Sequence, residues 1–167
     1  MKSKRMFAAL ITVGLLLATG LAWSQGPQSA PAQTPQYHNL LGDSIGVSGY
    51  DPVAYFPEGG GRPLKGLIRL TFQFKGVNYR FASQENLDRF KATPEKYLPA
   101  FGGWCAWAVG ELGKKVDVDP ESFEIRDGHL YLFYRDRELD TRALWQKNPE
   151  ELLRKANANW RTLGPGR

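Results

Sequence analysis

The sequence predicts an α+β fold in which two small antiparallel β-hairpins pack with short helices around one aromatic core. Two stretches of alternating apolar and polar residues are each interrupted by a turn dipeptide that ends in glycine. Helix-start signals, a serine or a Thr-Pro or Asn-Pro pair, stand after them. Phenylalanine, tryptophan and tyrosine make up 13% of the chain, which is enough aromatic volume to fill such a core.

The two hairpins are predicted from their turns and from the alternation on either side. The first spans residues 70–81 and turns at Lys75-Gly76. The second spans residues 123–134 and turns at Asp127-Gly128. An Asp-Gly pair between alternating segments is a strong hairpin signal, and Lys-Gly is a weaker form of the same signal.

Helices are predicted where capping residues precede apolar residues spaced three or four apart. Ser83 caps a helix with Leu87 and Phe90 on one face, and Thr93-Pro94 begins a further turn. Asn148-Pro149 begins the last helix, because proline is favoured at the first helical position. The apolar stripe of that helix consists of Leu152, Leu153, Ala156, Trp160 and Leu163.

The first 24 residues are predicted to be a secretory signal peptide, because basic residues precede an uncharged apolar stretch over residues 6–22 and small residues follow. The proline- and glutamine-rich residues 25–37 are expected to form a disordered tether. Residues 38–163 would then be the folded domain, with 164–167 as a loose tail. This organisation predicts a periplasmic protein without stable membrane insertion after cleavage, and an uncleaved anchor is the alternative.

The charge argues against a nucleic-acid-binding protein, and the cysteine content excludes a fold held together by internal disulfides. The chain has 22 basic and 17 acidic residues, but three of the basic residues lie in the predicted signal peptide. The remaining 19 against 17 leave a net charge of +2, which is too weak to indicate a nucleic-acid partner. A single cysteine cannot form an internal disulfide, so the fold depends on its core.

The stretch over residues 101–109 contains this cysteine between two tryptophans and after a pair of glycines. Paired glycines allow positive φ or close backbone approach. The residues after them can begin a short buried helix, whose N-terminal dipole favours a thiolate. A buried thiol that only packs in the core is the alternative. The candidate ligand-binding residues are Gly102, Gly103, Trp104, Cys105, Trp107, Tyr50 and Asp51.

Metal binding and thiol chemistry both depend on Cys105. His129 is its candidate partner as a copper or zinc ligand, whereas His38 lies at the edge of the predicted tether. One cysteine and two histidines are few ligands for a structural metal site. Cys105 is also the one candidate catalytic residue, so the sequence leaves open whether the chain is an enzyme and favours a non-enzymatic role.

Five segments in order resemble the exported bacterial YHS-domain proteins, and together they cover nearly the whole predicted domain. These segments are SGYDPVAYF (48–56), YRFASQEN (79–86), PEKY (94–97), GGWCA (102–106) and NANW (157–160). The resemblance implies a periplasmic address and an α+β domain.

The same resemblance bears on metals and on the thiol. The broader YHS group is similar to small cysteine-rich metal-binding modules, whose cysteines correspond to Ala54, Ala82 and Asn86 of this sequence. Metal binding through those thiols is therefore not expected here. Cys105 lies where some relatives carry selenocysteine, which implies redox or soft-metal chemistry at that position.

These observations predict a non-enzymatic module that binds a soft metal ion or a small ligand in an aromatic cleft near Cys105. The first alternative is a single-cysteine redox enzyme, in which Cys105 passes through a sulfenic acid or a mixed disulfide. The second is a structural domain that docks a partner. The expected partners are accordingly a small ligand, a metal ion or a periplasmic protein.

Overall fold

The strands and helices begin and end largely where the turn and cap signals place them. The structure, a computed structural model, describes residues 37–42 and 44–165. Its strands are β1 (Leu40–Leu41), β2 (Ile45–Gly46), β3 (Leu67–Phe74), β4 (Val77–Phe81), β5 (Asp119–Arg126) and β6 (His129–Phe133). Its helices are α1 (Gln84–Ala92), α2 (Pro94–Tyr97), α3 (Ala106–Leu112), α4 (Thr141–Trp145) and α5 (Pro149–Leu163). The predicted mixed α and β class is confirmed, whereas the predicted signal peptide and almost all of the tether lie outside the described residues.

The first predicted hairpin consists of β3 and β4, and it belongs to a larger sheet. Lys75 and Gly76 turn the chain with φ angles of 48° and 80°, as a tight hairpin turn requires. The four-stranded sheet has the order β1-β2-β4-β3, with β2 parallel to β4 through Ile45 and Asn78. β3 is therefore an edge strand.

The second predicted hairpin consists of β5 and β6, which pair only with each other. Asp127 and Gly128 connect them with φ angles of 51° and 74°. The two strands are antiparallel, with Arg126 opposite His129 at the turn. Both turn predictions are thus confirmed.

The predicted helix starts are also confirmed. The Ser83 hydroxyl accepts a hydrogen bond from the Asn86 backbone N–H at 3.1 Å, and α2 and α5 both begin at a proline. α3 and α5 approach closely, because a Cβ atom at Gly110 would lie only 2.7 Å from the Leu152 carbonyl oxygen. In the part of the chain that the structure describes, no helix combines the length and the apolar character needed to cross a membrane.

The buried residues form two clusters, one on each face of β6, rather than the single aromatic core predicted. Cluster one contains Leu130 and Leu132 from β6 and is centred on Phe90. Cluster two contains Tyr131 and Phe133, the alternate residues of the same strand, and is centred on Trp145. Successive side chains of a strand point to opposite faces, so β6 separates the two clusters.

Candidate functional site

The two glycines at positions 102 and 103 lie in a tight turn with left-handed backbone. Phe101, Gly102 and Gly103 have φ angles of 52°, 62° and 86°. A Cβ atom at Gly102 would lie 2.7 Å from the carbonyl oxygen of Tyr37, a separation that real Cβ contacts do not show. The segment beginning at Tyr37 therefore packs directly on this turn, and the predicted requirement for glycine is confirmed.

The loop after α3 folds back along the start of the same helix. Gly113 ends α3 with a φ angle of 60°, a left-handed conformation that glycine adopts without strain. The backbone N–H of Cys105 donates to the carbonyl of Val116 at 3.0 Å. This hydrogen bond brings Lys115 beside Trp104.

Lys115 lies between two tryptophan rings. Its Nζ atom is 5.9 Å from the ring centroid of Trp104 and 5.9 Å from that of Trp160. The Trp104 indole N–H donates to the carbonyl of Tyr37 at 2.6 Å, and Trp160 packs edge-on against Phe101 with centroids 5.8 Å apart. These contacts fix the positions of the two rings. Both rings are half-buried, so part of each lies on the protein surface.

A groove of about 490 Å³ adjoins the same tryptophan and is lined by Trp160, Asn157, Arg161 and Pro165. Volumes of this order are typical of small-molecule sites. Across residues 37–42 and 44–165, no carboxylate lies within 4.0 Å of the side-chain nitrogens of Lys115 or Arg161. We call Trp104, Lys115, Trp160 and this groove the tryptophan site.

His38 lies at the margin of the tryptophan site. Its ring packs on Tyr37 with centroids 5.0 Å apart. Burial lowers the pKa of the imidazole below its ordinary value, and the positive charges of Lys115 and Lys75 lower it further. The lowered pKa favours the neutral imidazole at neutral pH, so the cationic groups of the site are Lys115 and Arg161.

Cys105 lies immediately before α3, as predicted, but its side chain is 0% exposed. Its sulfur is 3.3 Å from the hydroxyl oxygen of Thr141. That hydroxyl donates its one proton to the carbonyl of Tyr134 at 2.9 Å, so the S–H group is the donor to Thr141. The thiol is thus enclosed by the fold and has its hydrogen-bond acceptor within it.

The structure does not bring His129 to Cys105. His129 is exposed at the start of β6, and its Nδ1 lies 2.9 Å from the Asp127 carbonyl oxygen. Cys105 instead pairs with Leu132. Leu132 lies three residues beyond His129 on β6, which is about 10 Å along the strand. Among the described residues, no three or more histidine, cysteine, aspartate or glutamate side chains are grouped to hold a metal ion.

Asp51 is fully buried and acts as a hydrogen-bond acceptor within the fold. One carboxylate oxygen accepts from the backbone N–H groups of Val53 and Ala54 at 2.8 and 3.3 Å. The other accepts from the Ala82 backbone N–H at 2.8 Å and from the Asn86 amide at 2.7 Å. Asp51 thus joins three segments of the chain and is not available to a ligand.

The two remaining candidates also lie outside the tryptophan site. The hydroxyl of Tyr50 donates to the Glu121 carboxylate at 3.2 Å. Trp107 lines a different groove of about 260 Å³, together with Leu144 and Leu152. Of the seven predicted ligand residues, the two glycines shape the tryptophan site and Trp104 forms part of its surface.

Lys115, Arg161 and Thr141 are the residues of this region that sequence reasoning did not place. Lys115 reaches Trp104 only because the loop after α3 folds back on the start of the helix. Arg161 follows a tryptophan on a helix, and Thr141 is 36 residues from the thiol it contacts. No local pattern marks either of these residues.

Comparison with known proteins adds no assignment, because no protein-family model, curated protein or solved structure matches this chain.

Proposed function

We propose that this chain is an exported, non-enzymatic binding module of the YHS-domain type, and that its ligand is a small anion with an apolar body bound at the tryptophan site. The observation that carries the proposal is the position of Lys115. Its ammonium group lies between two half-buried indole rings and has no carboxylate partner among the described residues. Such an arrangement provides a charge and two apolar surfaces to one ligand.

The sign of the ligand charge follows from the surrounding groups. A cationic ligand would have to displace Lys115 and would face the nearby Arg161. An anionic ligand would instead give these cations a counter-ion, and charge-assisted hydrogen bonds are stronger than neutral ones. The indole rings would pack against the apolar body of the same ligand. The tryptophan site therefore favours carboxylates or similar anions.

Support for the YHS-type resemblance comes from the surroundings of Asp51. The positions that correspond to the cysteines of the metal-binding modules are Ala54, Ala82 and Asn86, and all three donate to this one carboxylate. Positions far apart in sequence thus meet at one point, as ligands of a common metal would. In this chain a hydrogen-bonded carboxylate occupies that point.

Cys105 has no part in the proposed binding. Copper or zinc binding and redox chemistry both need an accessible thiolate, whereas this thiol is buried and donates to Thr141. Its neighbour Trp104 is the residue that reaches the ligand. The ligand therefore binds in an aromatic cleft near Cys105, as the sequence predicts, but the groups that contact it are the indole rings and Lys115 and not the sulfur.

Calorimetric titration with cyclohexanecarboxylate tests the proposal, with cyclohexyltrimethylammonium as the ligand of opposite charge. We expect the carboxylate to bind and the ammonium compound not to bind. Lys115→Gln should weaken carboxylate binding about 10- to 100-fold, since a hydrogen bond to a charged group contributes about 1.5–3 kcal/mol. The matched control is Lys114→Gln, which removes the neighbouring exposed lysine and should leave the affinity unchanged.

Two results would contradict the proposal. One is carboxylate binding that is equally strong in the wild type and in Lys115→Gln. The other is binding of the ammonium compound in preference to the carboxylate, which would assign the indoles to a cationic ligand.

A further inference from the structure

The free edge of the four-stranded sheet carries exposed apolar side chains in an irregular part of β3. The pairing of β3 with β4 shifts between Leu67 and Thr71, so the residues between them leave the regular ladder. Ile68 lies in this bulge with 76% of its surface exposed, and Leu67 is 39% exposed. A protruding isoleucine beside an open sheet edge is an unusual exposure of apolar surface.

The chain around this bulge is basic and lacks compensating acids. Residues 59–84 contain five basic residues and no acidic one. The basic residues are Arg62, Lys65, Arg69, Lys75 and Arg80. Of these five, only Lys75 forms an ion pair with another described residue, its Nζ lying 3.3 Å from a carboxylate oxygen of Glu95. Arg69 directly follows the exposed apolar pair and Lys65 precedes it by two residues. Arg80 lies on β4 opposite Thr71 at the end of the bulge.

Protection of the sheet edge accounts for only part of this arrangement. Basic residues and bulges at a free edge prevent pairing with other strands. That role does not explain Ile68, because an exposed isoleucine promotes the association that the charges oppose. The interrupted ladder also makes an added β-strand a poor partner. The combination of cations around a protruding apolar pair requires a partner that is anionic at its surface and apolar beneath it.

We propose that residues 65–69, together with Arg80, form a docking surface for an anionic lipid bilayer. The basic side chains contact the anionic headgroups, while Leu67 and Ile68 enter the interfacial region. Each lysine or arginine near such a surface strengthens binding about five-fold. The contact is peripheral and reversible, and it does not depend on the tryptophan site.

A polarity-sensitive dye at residue 68 of the full chain tests this directly. Ile68→Cys supplies an exposed thiol, and the native Cys105 is 0% exposed; the unsubstituted chain treated in the same way gives the background. We expect the emission to shift to the blue with vesicles of phosphatidylcholine and phosphatidylglycerol in equal parts, and not with phosphatidylcholine alone. The dye reads the environment of residue 68 itself, whatever other part of the chain contacts the vesicle.

Charge variants and a second dye position complete the test. Adding Lys65→Glu and Arg69→Glu should weaken the vesicle-induced shift about 30-fold or more in apparent affinity. The control pair Lys114→Glu and Lys147→Glu changes the net charge equally and should have a much smaller effect. An unshifted emission at residue 68, or an equal shift for the dye at exposed Ala143→Cys, would overturn the proposal. A shift with poly-glutamate but not with vesicles would also overturn it, in favour of an acidic polypeptide.

Discussion

The two buried clusters on the faces of β6 differ in the partly buried residues that form their margins at the protein surface. In cluster one the ring of Phe90 is 0% exposed and is surrounded by other rings with centroids 5.0–6.4 Å away. In cluster two Trp145 is equally buried between Tyr131 and Phe133. Three further tryptophans pack only partly on cluster two, whereas the partly buried residues described at the margin of cluster one include no tryptophan.

This difference separates a region that stabilises the fold from one that, in the proposed function, also contacts a ligand. The rings around Phe90 come from the first hairpin and the two helices after it, a single stretch of chain over residues 72–97. Cluster two is formed by residues 101–163, and its margin contains the tryptophan site. Ligand contacts need surface that folding leaves uncovered, and in cluster two that surface includes indole rings beside Lys115.

The largest expected effect is the loss of the central ring of cluster one. Phe90→Ala should reduce the free energy of unfolding by about 3–5 kcal/mol, as deletion of a fully buried aromatic ring does. Trp107→Ala is the comparison in cluster two, and it should cost less because the Trp107 ring is half-buried. Urea unfolding measures both. Equal losses of unfolding free energy would show that the Trp107 ring is packed as fully as the Phe90 ring.

A smaller effect is expected from the hydrogen bonds of cluster two. Thr141→Val keeps the shape of the side chain but leaves the Cys105 thiol without its acceptor, at a cost of about 1–3 kcal/mol. The Tyr134 carbonyl keeps the backbone N–H of residue 141 as a donor. Thr141→Ser retains the hydroxyl and should lose less stability.

In the wild type, alkylation of Cys105 at pH 9 should occur only as fast as the protein opens. Rapid labelling under native conditions would mean that the thiol is accessible and that its bond to Thr141 is not formed.

The smallest effect is a pH dependence from His38, at the margin of cluster two. Its folded-state pKa is lowered, first by burial and then by Lys115 and Lys75, so the unfolded chain binds this proton more readily. Stability is therefore fully present above the unfolded pKa of about 6.5 and falls as the pH drops below it. His38→Gln should flatten this part of the curve when urea midpoints are measured from pH 5 to pH 8. A slope unchanged by the substitution would assign the dependence to other groups.

Features that depend on neighbouring residues could be predicted from the sequence. The Asp127-Gly128 turn, the Ser83 cap and the prolines that begin α2 and α5 act within a few residues of their own position. Their physical requirements, a positive φ, a side-chain acceptor or a preset φ, are visible in the residue type alone.

Features that join distant parts of the chain could not be predicted in this way. Asp51 accepts hydrogen bonds from residues 31 and 35 positions further on, whereas the sequence suggested a ligand-binding role for it. The alternation of β6 was expected to bury one face, but α3, α4 and α5 cover the other face as well. Lys115 contacts Trp160 across 45 positions. Such pairings depend on how the elements pack, and no local pattern records them.

The position of Tyr37 has a practical consequence for binding experiments. Its carbonyl accepts the Trp104 indole N–H, and Pro165, near the other end of the described chain, lines the groove beside Trp160. A peptide fused directly before Tyr37 or directly after Pro165 is therefore tethered beside the tryptophan site, where a short flexible linker gives an effective concentration in the millimolar range. An acidic affinity tag would act there as an intramolecular competitor. It would mask the binding of ligands whose affinity is weaker than millimolar. An untagged chain, or a tag inserted at the exposed Asp127-Gly128 turn, avoids this competition.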